Sequence, residues 1–515
     1  MSPPLGRRVD AGLHVDPARV VARLFLPGEQ LPGEQVPGEQ VPVEQSRTSK
    51  IVARIMLLPE PEVEALAAGL VSDFGTRHRH YEDLLIHHAS IVCAHAGEQP
   101  TLSRSRRLVL GASFTAEYAV EGAALCNPSA VLHPDQGELA EGQVRVAISL
   151  RGIGEGHLSS IGFCSAIVGP GVQWSFEPRQ LPACAGVARP GLVWRAHLGA
   201  ALAEQGHVDD LGAAVLLALP TQLGGIDLER VLAALPADLL LRPGAPATAE
   251  LLRRLVSSAY VVEFPAEVSL DKRVLLPSAA EESNGMEDAR FTRFVDDDGT
   301  VEYRATYTAY DGQRIAPRLL LSSDLRVFRA HRLTGPAARN KGMALFPRTV
   351  HGRHLALCRS DGESTGLTSS DDGHIWGEPV ELQHPRASWE LLQVGNCGPP
   401  IETEHGWLVL THGVGPMRSY AMGAILLDRD DPSRVIGWLD RPFLEPAATE
   451  RNGYVPNVVY SCGGFVQDGV LWLPFGIDDV RIGVAWAPVE EVIARMSDVG
   501  ELGGATQALR ASTSA

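Results

Sequence analysis

The residues that could do chemistry lie in short polar segments where strand-like runs give way to loops. They are Asn127-Pro128-Ser129, Arg151 with Glu155 and His157, and Gly285-Met286-Glu287-Asp288-Ala289-Arg290. Further along come Asn340-Lys341-Gly342-Met343-Ala344-Leu345-Phe346-Pro347, Arg359, Gly398-Pro399-Pro400-Ile401, His412-Gly413-Val414, Tyr420, Gly453-Tyr454-Val455-Pro456-Asn457-Val458-Val459, and Phe475-Gly476-Ile477-Asp478-Asp479. A carboxyl group can deliver a proton, and Arg and Lys can seat an anion. Taken singly, each has an ordinary explanation. Glu287-Asp288 reads as a solvated turn pair, Lys341 and Arg359 as surface salt bridges, and His412 as a satisfied core histidine.

Other chemistries lack a pattern. There is no P-loop, and Gly152-x-Gly154-x-Gly156 lacks the following helix that a dinucleotide site needs. No G-x-S-x-G elbow supports a serine hydrolase. No credible zinc ligand set is present, and His78, His80, His87 and His88 read as helix-surface histidines. Cys93, Cys126, Cys164, Cys184, Cys358, Cys397 and Cys462 are odd in number, scattered and without a C-x-x-C pair, which predicts mostly buried, reduced thiols. The chain has 515 residues and a net charge of −17. An acidic surface repels phosphate backbones, so no nucleic-acid partner is expected, although local basic clusters could bind a small anion. No apolar run approaches the roughly 20 residues that cross a bilayer. Met1 to Pro17 lacks a charged-then-apolar leader, so the expected location is cytoplasmic.

The elements that must position these residues can be read in turn. Residues 26–45 repeat LPGEQ-LPGEQ-VPGEQ-VPVEQ and read as a solvated loop after a strand at Arg19 to Phe25. Val63, Leu66, Leu70 and Phe74, then Tyr81, Leu84, Leu85 and Ile91, recur at helical spacing and predict a helical hairpin. Short β-runs follow, at Arg107 to Leu110, Ala130 to His133, Val144 to Leu150 and His157 to Val168. An Ala/Leu-rich helical stretch interrupts them at about 190–260, and strands resume to Ala487 before a last helix at Val489 to Met496. Many short strands predict a sandwich, barrel or propeller. Ser369-Ser370-Asp371-Asp372-Gly373-His374-Ile375-Trp376 fits Ser-x-Asp-x-Gly-x-x-Trp, a turn common in propeller blades, and Ser322-Ser323-Asp324-Leu325 with Phe328 is a degenerate copy. The predicted organisation is an N-terminal strand and repeat (1–50), a helical hairpin (51–100), the first part of a propeller (101–189), a helical insertion (190–260), the remainder of the propeller with its C-terminal helix (261–497), and a tail (498–515).

These segments, in this order, resemble glycoside hydrolase family 130, the inverting β-mannoside phosphorylases and mannosidases. The resemblance is strongest from Asn284 to Ala487 and weaker back to Glu117. Here E-D-A-R stands for the family's E-D-P-R, N-K-G-M-A-L-F-P for N-K-D-A-x-L-F-P, and F-G-I-D-D for Y-G-A-A-D. The resemblance implies a mainly β, five-bladed propeller, with the hairpin and insertion as found in longer family members. It also implies that Asp288 is the catalytic acid, acting through a sugar hydroxyl in the phosphorylases. Lys341, Arg359 and His412 would hold phosphate, with Tyr420 adding its hydroxyl. Asn127, Ser129, Arg151 and Asp479 would bind the mannose being cleaved, with Asp478 as the neighbouring alternative to Asp479. Arg290 and Tyr454 complete the expected substrate contacts, and Trp389, Tyr454 and Trp407 are candidate aromatic platforms for sugar faces.

The expected activity is phosphorolysis of a β-mannosyl oligosaccharide to α-mannose 1-phosphate. Inorganic phosphate is the co-substrate, with no metal or organic cofactor. Phosphate is already a nucleophile, whereas an inverting hydrolase needs a carboxylate base, for which Glu402, Glu155 and Glu287 are the candidates. A β-mannosidase and a non-catalytic sugar-binding propeller are the rival readings. Apolar faces on the hairpin and insertion suggest a homo-oligomer.

Overall fold

A computed structural model describes residues 5–27, 46–95 and 101–498. The pentapeptide repeat falls outside the described residues from 28 onward, as does the tail beyond 498. The described chain is mainly β. Five groups of antiparallel strands follow one another, the first two joined in one sheet by the parallel Ser159–Gly285 pair, and residues from each line one cavity.

The first unit comprises Ala124–Leu132, Val144–Ile153, Ser159–Gly169 and Gln173–Phe176. The second comprises Gly285–Val295, Val301–Tyr310, Ile315–Ser322 and Val327–Arg332. Its outer edge is extended by Tyr260–Glu263 and then Val187–Pro190. The third holds Ala344–Leu345, His354–Cys358, Thr365–Ser370 and Val380–Gln383. The fourth holds Gln393–Asn396, Gly406–Val414, Tyr420–Leu427 and Val435–Trp438. The fifth is built from Val459–Tyr460, Val470–Ile477 and Arg481–Pro488, and its outermost strand is the N-terminal Arg7–His14.

The inner strands are buried on both faces, as the uninterrupted buried run of Gly406–Val414 shows. A sheet covered on both sides loses the alternation of a half-exposed one. What covers each face is the next unit. Val131, Ala147 and Phe163 of the first pack with Phe291, Ala305 and Leu320 of the second. Leu319 and Leu333 of the second meet Leu345, Ala356 and Trp376 of the third. Leu357 and Leu367 of the third meet Trp407, Val409 and Ile425 of the fourth. Leu408 and Leu410 of the fourth meet Leu471 and Leu473 of the fifth. Trp472, Ile482 and Val484 of the fifth pack against Leu125, Ile148 and Cys164 of the first. At this last junction Ser129 bridges Gly463, and Cys462 N–H donates to the Pro128 carbonyl.

In the N-terminal helical region both predicted helices are present, with one further helix before them and one after. The region has four helices: α1 (Arg47–Met56), α2 (Glu60–Phe74), α3 (Tyr81–His95) and α4 (Arg104–Ser113). Arg107 to Leu110, read as a β-run, lies inside α4. A four-residue apolar stretch cannot distinguish strand from buried helix by itself. The deciding features are the Ser103 cap, whose hydroxyl accepts from Arg106 N–H, and close packing at Gly111, where a Cβ would lie 1.9 Å from the Leu85 carbonyl oxygen. His78 and His88 are also not surface histidines. Both are buried, against Glu117 and the Thr115 hydroxyl respectively.

Residues 195–257 form five helices, α5 (Arg195–Glu204), α6 (Asp210–Ala218), α7 (Gly225–Ala234), α8 (Ala237–Leu240) and α9 (Ala245–Ser257). They enclose their own core of Leu198, Leu202, Leu211, Val215, Leu228, Leu252 and Leu255. The flanking strands Val187–Pro190 and Tyr260–Glu263 pair with each other, so the insertion hangs from the outer edge of the second unit.

The blade-type turn is present one residue along from the sequence pattern. Asp372, not Asp371, accepts from His374 and Ile375 N–H and meets the Ser370 hydroxyl, while Asp371 is exposed beside Arg353. Asp324 repeats the arrangement with Arg326 and Val327 N–H. In both turns the following residue is left-handed, Gly373 at φ 74 and Leu325 at φ 55. The aromatic four residues after the Asp, Trp376 or Phe328, is fully buried.

Candidate active site

A cavity of about 260 Å³ opens where the five units meet, and each contributes to its wall. Asn127 and Arg151 come from the first, Asp288 and Arg290 from the second, and Lys341, Gly342 and Arg359 from the third. Gln393, Gly395, Asn396, His412, Arg418 and Tyr420 come from the fourth. Val455, Val458, Tyr460 and Asp479 belong to the fifth. Residues more than 350 positions apart in sequence thus share one wall.

Local backbone geometry aims the polar groups inward. The pairing register shifts between Cys126 and Ser129 and again between Glu287 and Arg290. Asn127 (φ 51) and Asp288 (φ 56) sit in the left-handed region at these bulges, and Asp479 (φ 55) does so in the turn after Ile477. A bulge places an extra residue on one strand and redirects its side chain, which suits a site that needs polar groups pointing off the sheet.

Asp288 is the hub. Its Oδ1 accepts from Asn127 Nδ2 at 2.5 Å and from Arg151 Nη1 at 3.1 Å. Arg151 also reaches Glu287 Oε1 at 2.7 Å, and Lys341 Nζ lies 2.5 Å from Glu287 Oε2. Arg290 braces the centre from behind, donating to the Asp288 carbonyl (2.8 Å), the Tyr460 hydroxyl (2.9 Å) and the Cys397 carbonyl (3.2 Å). Burial by itself would raise the Asp288 carboxyl. The charges of Arg151, Arg290 and Lys341, with the Asn127 amide, outweigh it and hold the group below the ordinary carboxylate range.

Asp479 is perturbed the other way. Burial lifts it to about 6, against the pull of Arg151 and with the help of Asp288 and Asp478, and its Oδ1 has no protein partner. Asp478 is spoken for: its carboxylate accepts from Asn452 and Asn457 N–H and fastens the loop, so Asp479 is the residue on the cavity wall. Burial, then Arg359 and Arg290, keep His412 neutral, and its Nε2 lies 3.2 Å from Arg359 Nη1. Among the described residues, Arg359 and Arg418 have no carboxylate within ion-pair distance. The cavity therefore carries an excess of positive charge.

Of the predicted site residues, Asn127, Arg151, Asp288, Arg290, Lys341, Arg359, His412, Tyr420 and Asp479 converge on this cavity. Ser129 does not line it, because its buried hydroxyl accepts from Phe291 N–H and locks the strand junction. Tyr454 stands outside, 39% exposed, with its hydroxyl 2.5 Å from His157 Nδ1. Trp407 is core, donating to the Arg429 carbonyl under Arg348, and Trp389 packs over Gly413 and Gly423. The candidate bases are also displaced. Glu402 pairs with Arg348 and Arg429, Glu155 is exposed in a single turn, and Glu287 is clamped by Arg151 and Lys341 off the wall. Sequence reasoning missed Asn396, Gln393, Arg418 and Tyr460. Asn396 is the most telling, being buried with neither amide atom partnered. Only its place between Gly395 and the G-P-P segment could have drawn attention to it.

A buried carboxylate hub beside a cluster of basic side chains, on a mainly β scaffold of repeated units, defines the class: a mainly β protein with one polar cavity shared by its strand groups. The family model described as beta-1,4-mannooligosaccharide phosphorylase, of glycoside hydrolase family 130, matches residues 261–498. A 1,2-beta-oligomannan phosphorylase from Thermoanaerobacter sp. (strain X514) is 34% identical over 231 residues, 43% of this chain and 75% of that one. A beta-1,2-mannobiose phosphorylase of the same organism is 35% identical over 228 residues, 43% and 73% of the two chains. The solved beta-1,2-mannobiose phosphorylase from Listeria innocua, in complex with beta-1,2-mannobiose, covers 73% of this chain and 92% of its own at 21% identity and a TM-score of 0.42. The chain belongs to glycoside hydrolase family 130.

Proposed function

We propose that this protein is an inverting β-mannoside phosphorylase. It converts a β-mannosyl oligosaccharide and inorganic phosphate to α-mannose 1-phosphate and a shortened sugar, on the axis of a five-bladed propeller. The closed ring is supported by core packing that joins each unit to the next and the fifth to the first. The observation that carries the activity is the shared cavity, in which buried Asp288 stands with Lys341, Arg359, His412 and Tyr420. The relatives' printed names, phosphorylases of β-mannosides, agree with it.

In this reading phosphate is held by Lys341 and Arg359, the Arg as a fork and the Lys as a point charge, with the neutral His412 beside them. Mannose is held by Asn127, Arg151 and Asp479. Asp288 supplies the leaving oxygen's proton by way of a sugar hydroxyl. An arriving dianion offsets the Lys341 charge that helps keep Asp288 ionised, which lifts the carboxyl toward proton uptake as the substrates assemble. Phosphate needs no base, in keeping with the position of Glu155, Glu287 and Glu402 off the cavity wall. A purely sugar-binding role would leave the strained Asp288 bulge, and the Arg359 charge with no carboxylate beside it, without a use.

Five cysteines, Cys126, Cys164, Cys358, Cys397 and Cys462, are buried, and no described helix is long and apolar enough to cross a membrane. We place the enzyme in the cytoplasm. Exposed Leu217, Ile226 and Leu241 on the insertion are the surface we assign to self-association.

The test is to incubate β-1,2-mannobiose with and without phosphate. Mannose 1-phosphate should form only with phosphate, and Asp288→Asn should reduce turnover by about 10²–10⁴-fold. Equal mannose release in both tubes would establish the hydrolase instead.

A further inference from the structure

Away from the cavity, the insertion touches the third unit through a group of imidazoles. His197 lies on α5, and His374 follows Asp372 in the blade-type turn. One ligand atom from each of His197, Asp372 and His374 lies within 4.8 Å of the others. His197 Nε2 is 3.0 Å from Asp372 Oδ2, and the two imidazoles stack with centroids 4.4 Å apart. We propose that these three side chains form a divalent transition-metal site, of the kind zinc occupies, which clasps the helical insertion to the third unit.

The chemistry of the donor set fits. Two imidazoles and one carboxylate, with water in a fourth position, make a common tetrahedral zinc shell. Ligand atoms about 2.0–2.2 Å from a tetrahedral ion lie roughly 3.3 Å apart, so the His197–Asp372 pair already has the required separation and His374 needs a side-chain adjustment. His374 Nδ1 lies 3.0 Å from the Asp372 carbonyl, so it donates there and leaves Nε2 as the lone-pair nitrogen, the outer hydrogen bond that metal-binding histidines usually have.

The Asp372 carboxylate also accepts from the His374 and Ile375 N–H groups, which fix its orientation. His331 stands edge-on to His374. Arg304, on a neighbouring strand, is offset by Glu302 and lies over the Phe294 ring. Asp372 is partly exposed and provides the entry path. Since His197 and Asp372 are 175 residues apart, no ligand spacing in the sequence could reveal the set.

The experiment uses the full chain, stripped with a chelator and then dialysed against Zn²⁺ or Co²⁺. Bound metal is counted, and the visible ligand-field bands of cobalt are recorded. The parent should retain one equivalent more than either His197→Ala or His374→Gln, with cobalt bands of tetrahedral intensity and a melting temperature that zinc raises in the parent but not in His197→Ala. His197→Ala leaves the blade-type turn intact, so its reading does not depend on His374→Gln folding. His405→Ala, an exposed histidine elsewhere, should match the parent. Equal metal content in the parent and both site variants, or no binding by the folded parent, would overturn the proposal.

Discussion

Asn127, Asp288 and Asp479 all hold left-handed backbone without being glycine, which costs on the order of 1–2 kcal/mol each. All three side chains line the cavity, so the site is built at the expense of local strain. Asp479 adds an electrostatic cost. Its native value of about 6 lies above the ordinary 3.8, so between those values the folded chain binds more protons than the unfolded one. Stability therefore falls as pH rises through that window, by at most about 3 kcal/mol. Asp479→Asn removes the charge. It should melt above the parent at pH 7.5, with the gap closing near pH 4, and should lose most phosphorolytic turnover. Equal melting of the two proteins at pH 7.5 would show that the buried charge is solvated after all.

At the scale of elements, the inner strand ends approach so closely that several positions admit only glycine. A Cβ on Gly398 would lie 2.3 Å from the Cys462 carbonyl oxygen and 2.6 Å from the Gly463 Cα, at the join of the fourth and fifth units. Next to it, the Cys397 carbonyl accepts from Arg290, the brace behind Asp288. Gly398→Ala should thus cost about 1–3 kcal/mol in chemical denaturation and also depress turnover, because the displaced backbone carries the brace with it. Unchanged turnover in a destabilised variant would separate the junction from the site.

For the whole molecule, the first described strand completes the last unit. Arg7–His14 pairs with Arg481–Pro488, Arg8 reaches Glu450, and Val9, Ala11 and Leu13 cover the core between the fifth and first units. Removing residues 1–15 should destabilise the protein by about 2–4 kcal/mol and lower its melting temperature. A truncated chain that melts with the parent would show that the packing between the fifth and first units holds without it. Much of this architecture was legible in order and type, since short apolar runs announced strands such as Val144–Ile153 and the Ala/Leu-rich stretch announced the insertion. The motifs around Asp288, Lys341, His412 and Asp479 were legible too, because each is a contiguous string in which neighbours support one another. Other features could not be read. Arg107 to Leu110 became helix because Ser103 caps it and Gly111 lets Leu85 approach. Ser129 turned to the strand junction while Asn396 and Arg418 turned to the cavity. Local chemistry sets which residues favour a strand, a turn or a bulge. Which side of that strand faces a cavity, a neighbouring sheet or a distant histidine depends on contacts between segments hundreds of residues apart, and only the packed chain brings those together.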